Sequence, residues 1–200
     1  MNNYKERLES KMGVLIGLNA IMAKHGFPKG SGSYLMDGFS LEYDKRTFEK
    51  QDLLYRTVSD FEECDVLEIG VYAGHSGLIM MLVEDACVVG IDPCFPFTEP
   101  CIDYLNAMFD DRYKLIKGES LEVLPTLTKK YDVVHLDGCH DIHYILDELS
   151  IIKDLLSEGG VVVVDDWDGI GPQIPQEYLE EIEILDIADC PNPNAVIRFK

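Results

Sequence analysis

Val66-Leu67-Glu68-Ile69-Gly70-Val71-Tyr72-Ala73-Gly74-His75-Ser76-Gly77 reads as a buried strand that carries an acid at its end, then a glycine turn, then the first turn of a helix. Gly70 lets the chain turn sharply and pass close to a ligand, and Gly74 lets the following helix lie near it. Glu68, at the strand end, can accept hydrogen bonds from a ligand that carries donors or positive charge. The same alternation recurs on the carboxyl side. Strands are expected at 65–69, 87–91, 113–116, 132–136 and 160–164, with helices at 75–84, 99–109, 119–127 and 141–156 between them. The run Val161-Val162-Val163-Val164 suits a strand covered on both faces, and so a parallel sheet.

Both ends of the chain break this rhythm. Residues 182–187 and 195–199 are strand-like and are joined by the turn cluster Cys190-Pro191-Asn192-Pro193-Asn194, which implies a closing antiparallel hairpin. Near the amino end, Leu8, Met12, Leu15, Ile16, Ala20 and Met22 have helical spacing over 4–25. A loop rich in Gly, Ser and Pro follows over 26–40 (Gly26, Pro28, Gly30, Gly32, Gly38), then a second helix over 45–61. The expected fold is α/β, a doubly wound, Rossmann-like and mostly parallel seven-stranded sheet with a C-terminal antiparallel hairpin. Residues 1–60 are expected to form an N-terminal helical appendage or lid, and 61–200 the main domain, in one compact unit.

The chain has 200 residues, 46% of them apolar, which is enough for one well-filled domain. With 37 acidic and 17 basic residues its formal charge is −20. That field repels phosphate backbones and anionic lipid, so neither nucleic acid nor membrane is an expected partner, while cations are favoured. The first ten residues do not resemble a secretory signal, and no apolar run approaches a membrane span. The six cysteines (Cys64, Cys87, Cys94, Cys101, Cys139, Cys190) show neither a C-x-x-C pair nor zinc spacing. Cys64, Cys87 and Cys139 fall in or beside apolar strands and are expected to pack as small hydrophobes. Cys94 and Cys101 are near enough in sequence to bridge, though nothing demands it. A reduced, cytoplasmic setting is expected.

Open α/β sheets bind ligands outside the carboxyl ends of their strands, so the strand ends form one list of candidates. The second strand ends at Gly90-Ile91-Asp92-Pro93. An acid about twenty residues beyond the glycine turn suits two ribose hydroxyls, and this role is preferred here over a turn or capping role. The third ends at Lys117-Gly118-Glu119-Ser120, where Glu119 or Ser120 can begin the next helix. The fourth ends at His135-Leu136-Asp137-Gly138-Cys139-His140 and the fifth at Val164-Asp165-Asp166-Trp167. Asp137, Asp165 and Asp166 therefore crowd one rim, where carboxylates repel unless a cation or protons intervene. A hard divalent ion such as Mg²⁺ takes oxygen ligands of this kind. Since strand residues alternate faces, Asp165 and Asp166 can both ligate only if the strand has already curled. Otherwise one of them is a cofactor or helix-capping acid.

The glycine turn lacks the G-x-G-x-x-G spacing of a dinucleotide fingerprint. It resembles motif I, E/D-x-G-x-x-x-G, of the class I S-adenosylmethionine-dependent methyltransferases. Asp137-Gly138-Cys139-His140, the long helix after it, Glu158-Gly159-Gly160-Val161 and Asp165-Asp166 resemble metal-dependent O-methyltransferases that act on sugars, of the macrocin and mycinamicin tailoring type. The resemblance covers about residues 66–164 and gives little before Gln51. It implies S-adenosylmethionine at Glu68, Gly70, Tyr72, Gly74, Ser76 and Asp92, with Glu119 and Ser120 beside the adenine. It also implies Mg²⁺ on Asp137, Asp165 and Asp166, and His140 as general base with Asp137 catalytic. The first acid of the pair is often Glu in that family and is Asp here, which shortens its reach.

His140 can alternatively cap a helix or fill a polar pocket, but an imidazole beside an activated hydroxyl has a fitting pKa for taking its proton. His135, inside the strand, is expected to be a packed core histidine. His143, His75 and His25 receive no role, and Trp167 either stacks on a sugar or packs. The resulting expectation is an O-methyltransferase for a sugar hydroxyl on a small molecule or glycan, with a homo-oligomer left open. Two alternatives stand beside it: a catechol-like acceptor, and a non-catalytic partner subunit that binds S-adenosylmethionine or a nucleotide.

Overall fold

A computed structural model of the chain describes residues 3–27, 34–40 and 42–200. Pro28, Gly30 and Gly32 of the expected loop lie outside them. The strands are β1 (Asp65–Ile69), β2 (Cys87–Asp92), β3 (Tyr113–Lys117), β4 (Tyr131–Leu136), β5 (Leu156–Val164), β6 (Ile182–Ile187) and β7 (Ala195–Phe199). They form one seven-stranded sheet in the order β3-β2-β1-β4-β5-β7-β6. The first five are parallel, and β7 runs antiparallel to both β5 and β6. This is the doubly wound sheet with its closing hairpin.

Alternation along each strand sends side chains to two separate core layers. Val66, Val133, Val161 and Val163 pack on one face under the helices α1 (Asn3–Ser10), α2 (Met12–Lys24), α3 (Phe48–Ser59), α4 (His75–Met81) and α5 (Thr98–Met108). Leu67, Val134, Leu136, Val162 and Val164 face the other side. There they meet residues from and around α6 (Ser120–Val123), α7 (Ile142–Ile152), α8 (Trp167–Ile170) and α9 (Gln176–Leu179). All four valines 161–164 are buried, and burying each is worth about 1.5–3 kcal/mol, which anchors β5 at the centre. The amino-terminal helices share the first core layer with the sheet. Among the described residues no helix is long and apolar enough to cross a membrane.

Three differences from expectation have local causes. The single helix expected over 4–25 breaks at Lys11, just after Ser10 turns its hydroxyl back onto the Arg7 carbonyl at 2.6 Å, a bond that competes with helical pairing. The stretch 165–181, left without elements, holds the short helices α8 and α9. Of the three cysteines expected to pack, only Cys64 is buried: Cys87 opens β2 at the sheet margin and Cys139 lies in the loop after β4, and both are exposed. All six cysteines are free.

Candidate active site

The glycine turn is held from both sides. The Gly70 amide donates to the Ile91 carbonyl at 3.0 Å, and the Asp137 amide donates to the Ile69 carbonyl at 2.9 Å. Gly70 has φ +87°, and a Cβ there would stand 2.0 Å from the Asp137 carbonyl oxygen, so only glycine lets β1 and the β4 loop touch. Asp92 closes the same turn. Its carboxylate accepts the amides of Val71 (2.8 Å), Tyr72 (2.9 Å) and Cys94 (2.6 Å). An ionised carboxylate has about four acceptor sites, so it can still accept a ligand hydroxyl. The Tyr72 ring is set edge-on to Phe95 and Phe97.

Over this turn opens a cavity of about 590 Å³, lined by Gly70, Tyr72, Ser76, Asp92, Glu119, Ser120, Asp137 and His140 among others. Two of the expected cofactor residues are placed elsewhere. Gly74, with φ +72°, packs against Leu105 and Ile102 of α5. Glu68 is fully buried beneath the turn, where Ser76 and Tyr113 donate their hydroxyls to it and His135 Nδ1 lies 3.5 Å away. It is shut off from the cavity beneath the turn, so it shapes the turn and does not line the cavity. Burial, followed by the Glu68 charge, holds the Tyr113 phenol well above its ordinary pKa. Ser120 begins α6 and donates to Glu148, a fully buried acid on α7. Burial pushes the Glu148 carboxyl up to about 7 against the pull of that bond.

A second cavity, of about 450 Å³, adjoins the first and shares Tyr34, Asp137 and His140 with it. It is lined further by Asp37, Asp44, Arg46, Lys50, Asp165, Asp166 and Asn192. The condition set for the acid pair is met, since β5 ends at Val164 and Asp166 takes φ +49°. The chain has turned there, and both acids face the same cavity. Trp167, after the turn, packs into the second core layer.

Part of the rim's negative charge is offset by the protein itself, with two cations set against three acids. His140, partly exposed, lies between two acids, with Nε2 3.5 Å from Asp137 Oδ1 and Nδ1 3.3 Å from Asp166 Oδ2. Those two contacts lift the imidazole to about 10, against the opposing effect of burial. Asp166 is correspondingly lowered by its His140 bond. Lys50 Nζ donates to Asp165 Oδ1 at 2.8 Å and sits 4.5 Å over the Tyr34 ring. Burial would lower the Lys50 pKa, but Asp165 and then Asp137 raise it above its ordinary value. Burial and Asp137 push the Asp165 carboxyl up, and Lys50 pulls it back. Lys50 is read as the ammonium, because the Tyr34 ring face also favours the cation.

Oxygen or nitrogen atoms of Asp137, His140 and Asp165 lie within 4.8 Å of one another, a donor set that a hard divalent ion could use. Mg²⁺ nevertheless does not fit the rim as it stands, because the ammonium holds Asp165 and the imidazole sits between Asp137 and Asp166. His135 is fully buried as expected, but it is polar in function. Asn194 donates to the Tyr34 hydroxyl at 2.6 Å, and that hydroxyl shares a hydrogen bond with His135 Nε2 at 2.5 Å. His75 lines the first cavity, and burial lowers its pKa to about 3, so it is neutral. Tyr34, Lys50 and Glu148 were missed in the sequence. The apolar triplet Tyr34-Leu35-Met36 inside a Gly-rich stretch signalled the first, and an acid at a core-facing helical spacing (Ile145, Glu148, Leu149, Ile152) signalled the third. Lys50 left no signal.

Residues 67–167, half of the chain, match the model of a methyltransferase-domain family. The chain belongs to that family. It is 27% identical over 177 residues to catechol O-methyltransferase of Bos taurus, covering 82% of this chain and 63% of that one. It is 36% identical over 109 residues to the O-methyltransferase hkm8 of Aspergillus hancockii, covering 50% and 42%. The chain thus spans less than two thirds of these relatives' lengths. The O-methyltransferase TomG of Streptomyces achromogenes, solved in complex with S-adenosylmethionine, superposes with a TM-score of 0.67 at 18% identity, over 94% of this chain and 89% of that one.

Proposed function

We propose that the protein is an S-adenosylmethionine-dependent O-methyltransferase whose acceptor is a hydroxyl of a polar, polyhydroxylated small molecule, a sugar or glycoside. The observation that carries this reading is the junction of two cavities at Tyr34, Asp137 and His140. One holds the donor, the other the acceptor, and the base stands between them. The lining of the first cavity includes Asp92, Glu119 and Asp137 and no lysine or arginine among the described residues. That suits a cationic sulfonium and not a pyrophosphate. Its volume is in the range of small-molecule sites. The family membership and the O-methyltransferase relatives support the same class.

When bound, S-adenosylmethionine supplies an electrophilic methyl group. The protein's part is alignment and proton removal. Asp92 and the turn amides fix one end of the first cavity, and Ser120 with Glu119 lines the other. His140 receives the acceptor's hydroxyl proton after giving up its own. His140 would give up its own proton more readily with a cation held in the neighbouring cavity, since a nearby positive charge lowers an imidazole pKa. The second cavity offers Asp37, Asp44, Arg46, Lys50 and Asn192, donors and acceptors for several hydroxyls at once. Such a lining favours a sugar over a flat phenol.

The test is formation of S-adenosylhomocysteine across a panel of free sugars, glycosides and catechols, with the methylated atom located by NMR. O-methylation of a sugar hydroxyl is expected. Turnover on catechols alone would move the acceptor to the phenol class, and binding of S-adenosylmethionine with no turnover on any member would favour a non-catalytic subunit.

A further inference from the structure

Three carboxylates meet at the acceptor rim, and the group that answers them most closely comes from a distant part of the chain. Lys50 lies on α3, 115 residues from Asp165, yet both residues are 5% exposed and their charged ends are 2.8 Å apart. Burying a lysine ammonium is costly unless it is held, and this one is held by Asp165 and by the face of Tyr34. Tyr34 is itself fixed by bonds with Asn194 and His135, and the Asn194 amide also reaches the Lys50 carbonyl at 3.5 Å. The ammonium is therefore placed by a built set of buried contacts. It also lines the acceptor cavity together with Asp137, Asp165 and Asp166.

We propose that Lys50 is the resident cation of the acceptor rim, occupying the side of Asp165 that a divalent ion would need. This rests on the reading of the second cavity as the acceptor site. Lys50 then performs the electrostatic part otherwise left to a metal. It offsets the charge of Asp165 and presents positive charge to the acceptor oxygen as that oxygen loses its proton to His140 and gains the methyl carbon. A divalent ion entering the rim meets a fixed like charge and one acid already engaged, so it binds weakly.

The test is a titration of the full-length chain with Mn²⁺ alone, followed by electron paramagnetic resonance of the free ion. It needs neither acceptor nor turnover, so a failure of the methyl-transfer reading leaves its result interpretable. Lys50→Met, similar in shape and uncharged, is expected to bind Mn²⁺ at least about tenfold tighter than wild type, a change of about 1.4 kcal/mol. Lys50→Arg, which keeps the charge, is expected to stay as weak as wild type. Lys50→Met binding no tighter than wild type would overturn the proposal. Wild type alone gives a second check that does not depend on a variant folding. It is expected to bind Mn²⁺ with a dissociation constant weaker than about 1 mM, and one-to-one binding tighter than about 0.1 mM would overturn the proposal as well.

Discussion

The two cavities are built by opposite means. The first is made of backbone: amides of Val71, Tyr72 and Cys94 gathered on Asp92, and a glycine whose missing side chain lets two strand ends meet. The second is made of side-chain charges, three acids answered by Lys50 from α3 and His140 from the β4 loop. Backbone sites are written into short stretches of sequence, because turn geometry is local. Sites of opposed side-chain charges are assembled from residues that only the fold brings together. Changes in the second region should therefore cost rate, and changes in the first should cost binding and stability together.

The largest expected effect is in the charged region. His140→Ala should lower kcat by roughly 10²–10⁴-fold with the dissociation constant for S-adenosylmethionine nearly unchanged. Because Asp137 and Asp166 hold the imidazole up to about 10, kcat/KM of wild type should rise through an alkaline limb. Asp166→Asn removes one of the supporting charges and should move that limb to lower pH. A pH profile of both proteins checks this, and a His140→Ala enzyme with unchanged kcat would end the base assignment.

Next in size is the backbone-built region. Asp92→Ala removes the acceptor for three amides as well as the expected ribose contact. It should weaken S-adenosylmethionine binding by about 1–3 kcal/mol and lower the thermal midpoint at the same time. Calorimetry paired with thermal melting separates this from a change that loses affinity alone.

These contrasts explain what could be read from sequence. The strand positions, the closing hairpin and the acid at the end of β2 follow from periodicity and spacing, and the acids of the rim follow from their places at strand ends. Glu68 was expected to meet a ligand, but it is fully buried beneath the turn, bonded to Ser76 and to Tyr113, 45 residues away. No local pattern reveals that loss. Lys50 was invisible for the same reason, since a lysine in an amphipathic helix ordinarily faces water. Glu148 was legible in principle, as an acid on the buried face of α7.

The smallest expected effect concerns that buried acid. Its carboxyl titrates near 4.5 when unfolded and is pushed up to about 7 by burial in the folded protein. Between those values the folded state keeps a proton that the unfolded chain releases, so stability falls as pH rises from 4.5 to 7. Glu148→Gln, which keeps the Ser120 bond without ionising, should flatten that slope. Above pH 7 it should be more stable than wild type by about 1–2 kcal/mol, read from urea midpoints.

The central claim is that the backbone-built cavity takes S-adenosylmethionine and delivers it to the charged rim. Calorimetric titration of the wild-type chain with S-adenosylmethionine, and separately with NAD, tests this most directly. Saturable one-to-one binding of S-adenosylmethionine and none of NAD is expected. Tight binding of NAD with no binding of S-adenosylmethionine would contradict it.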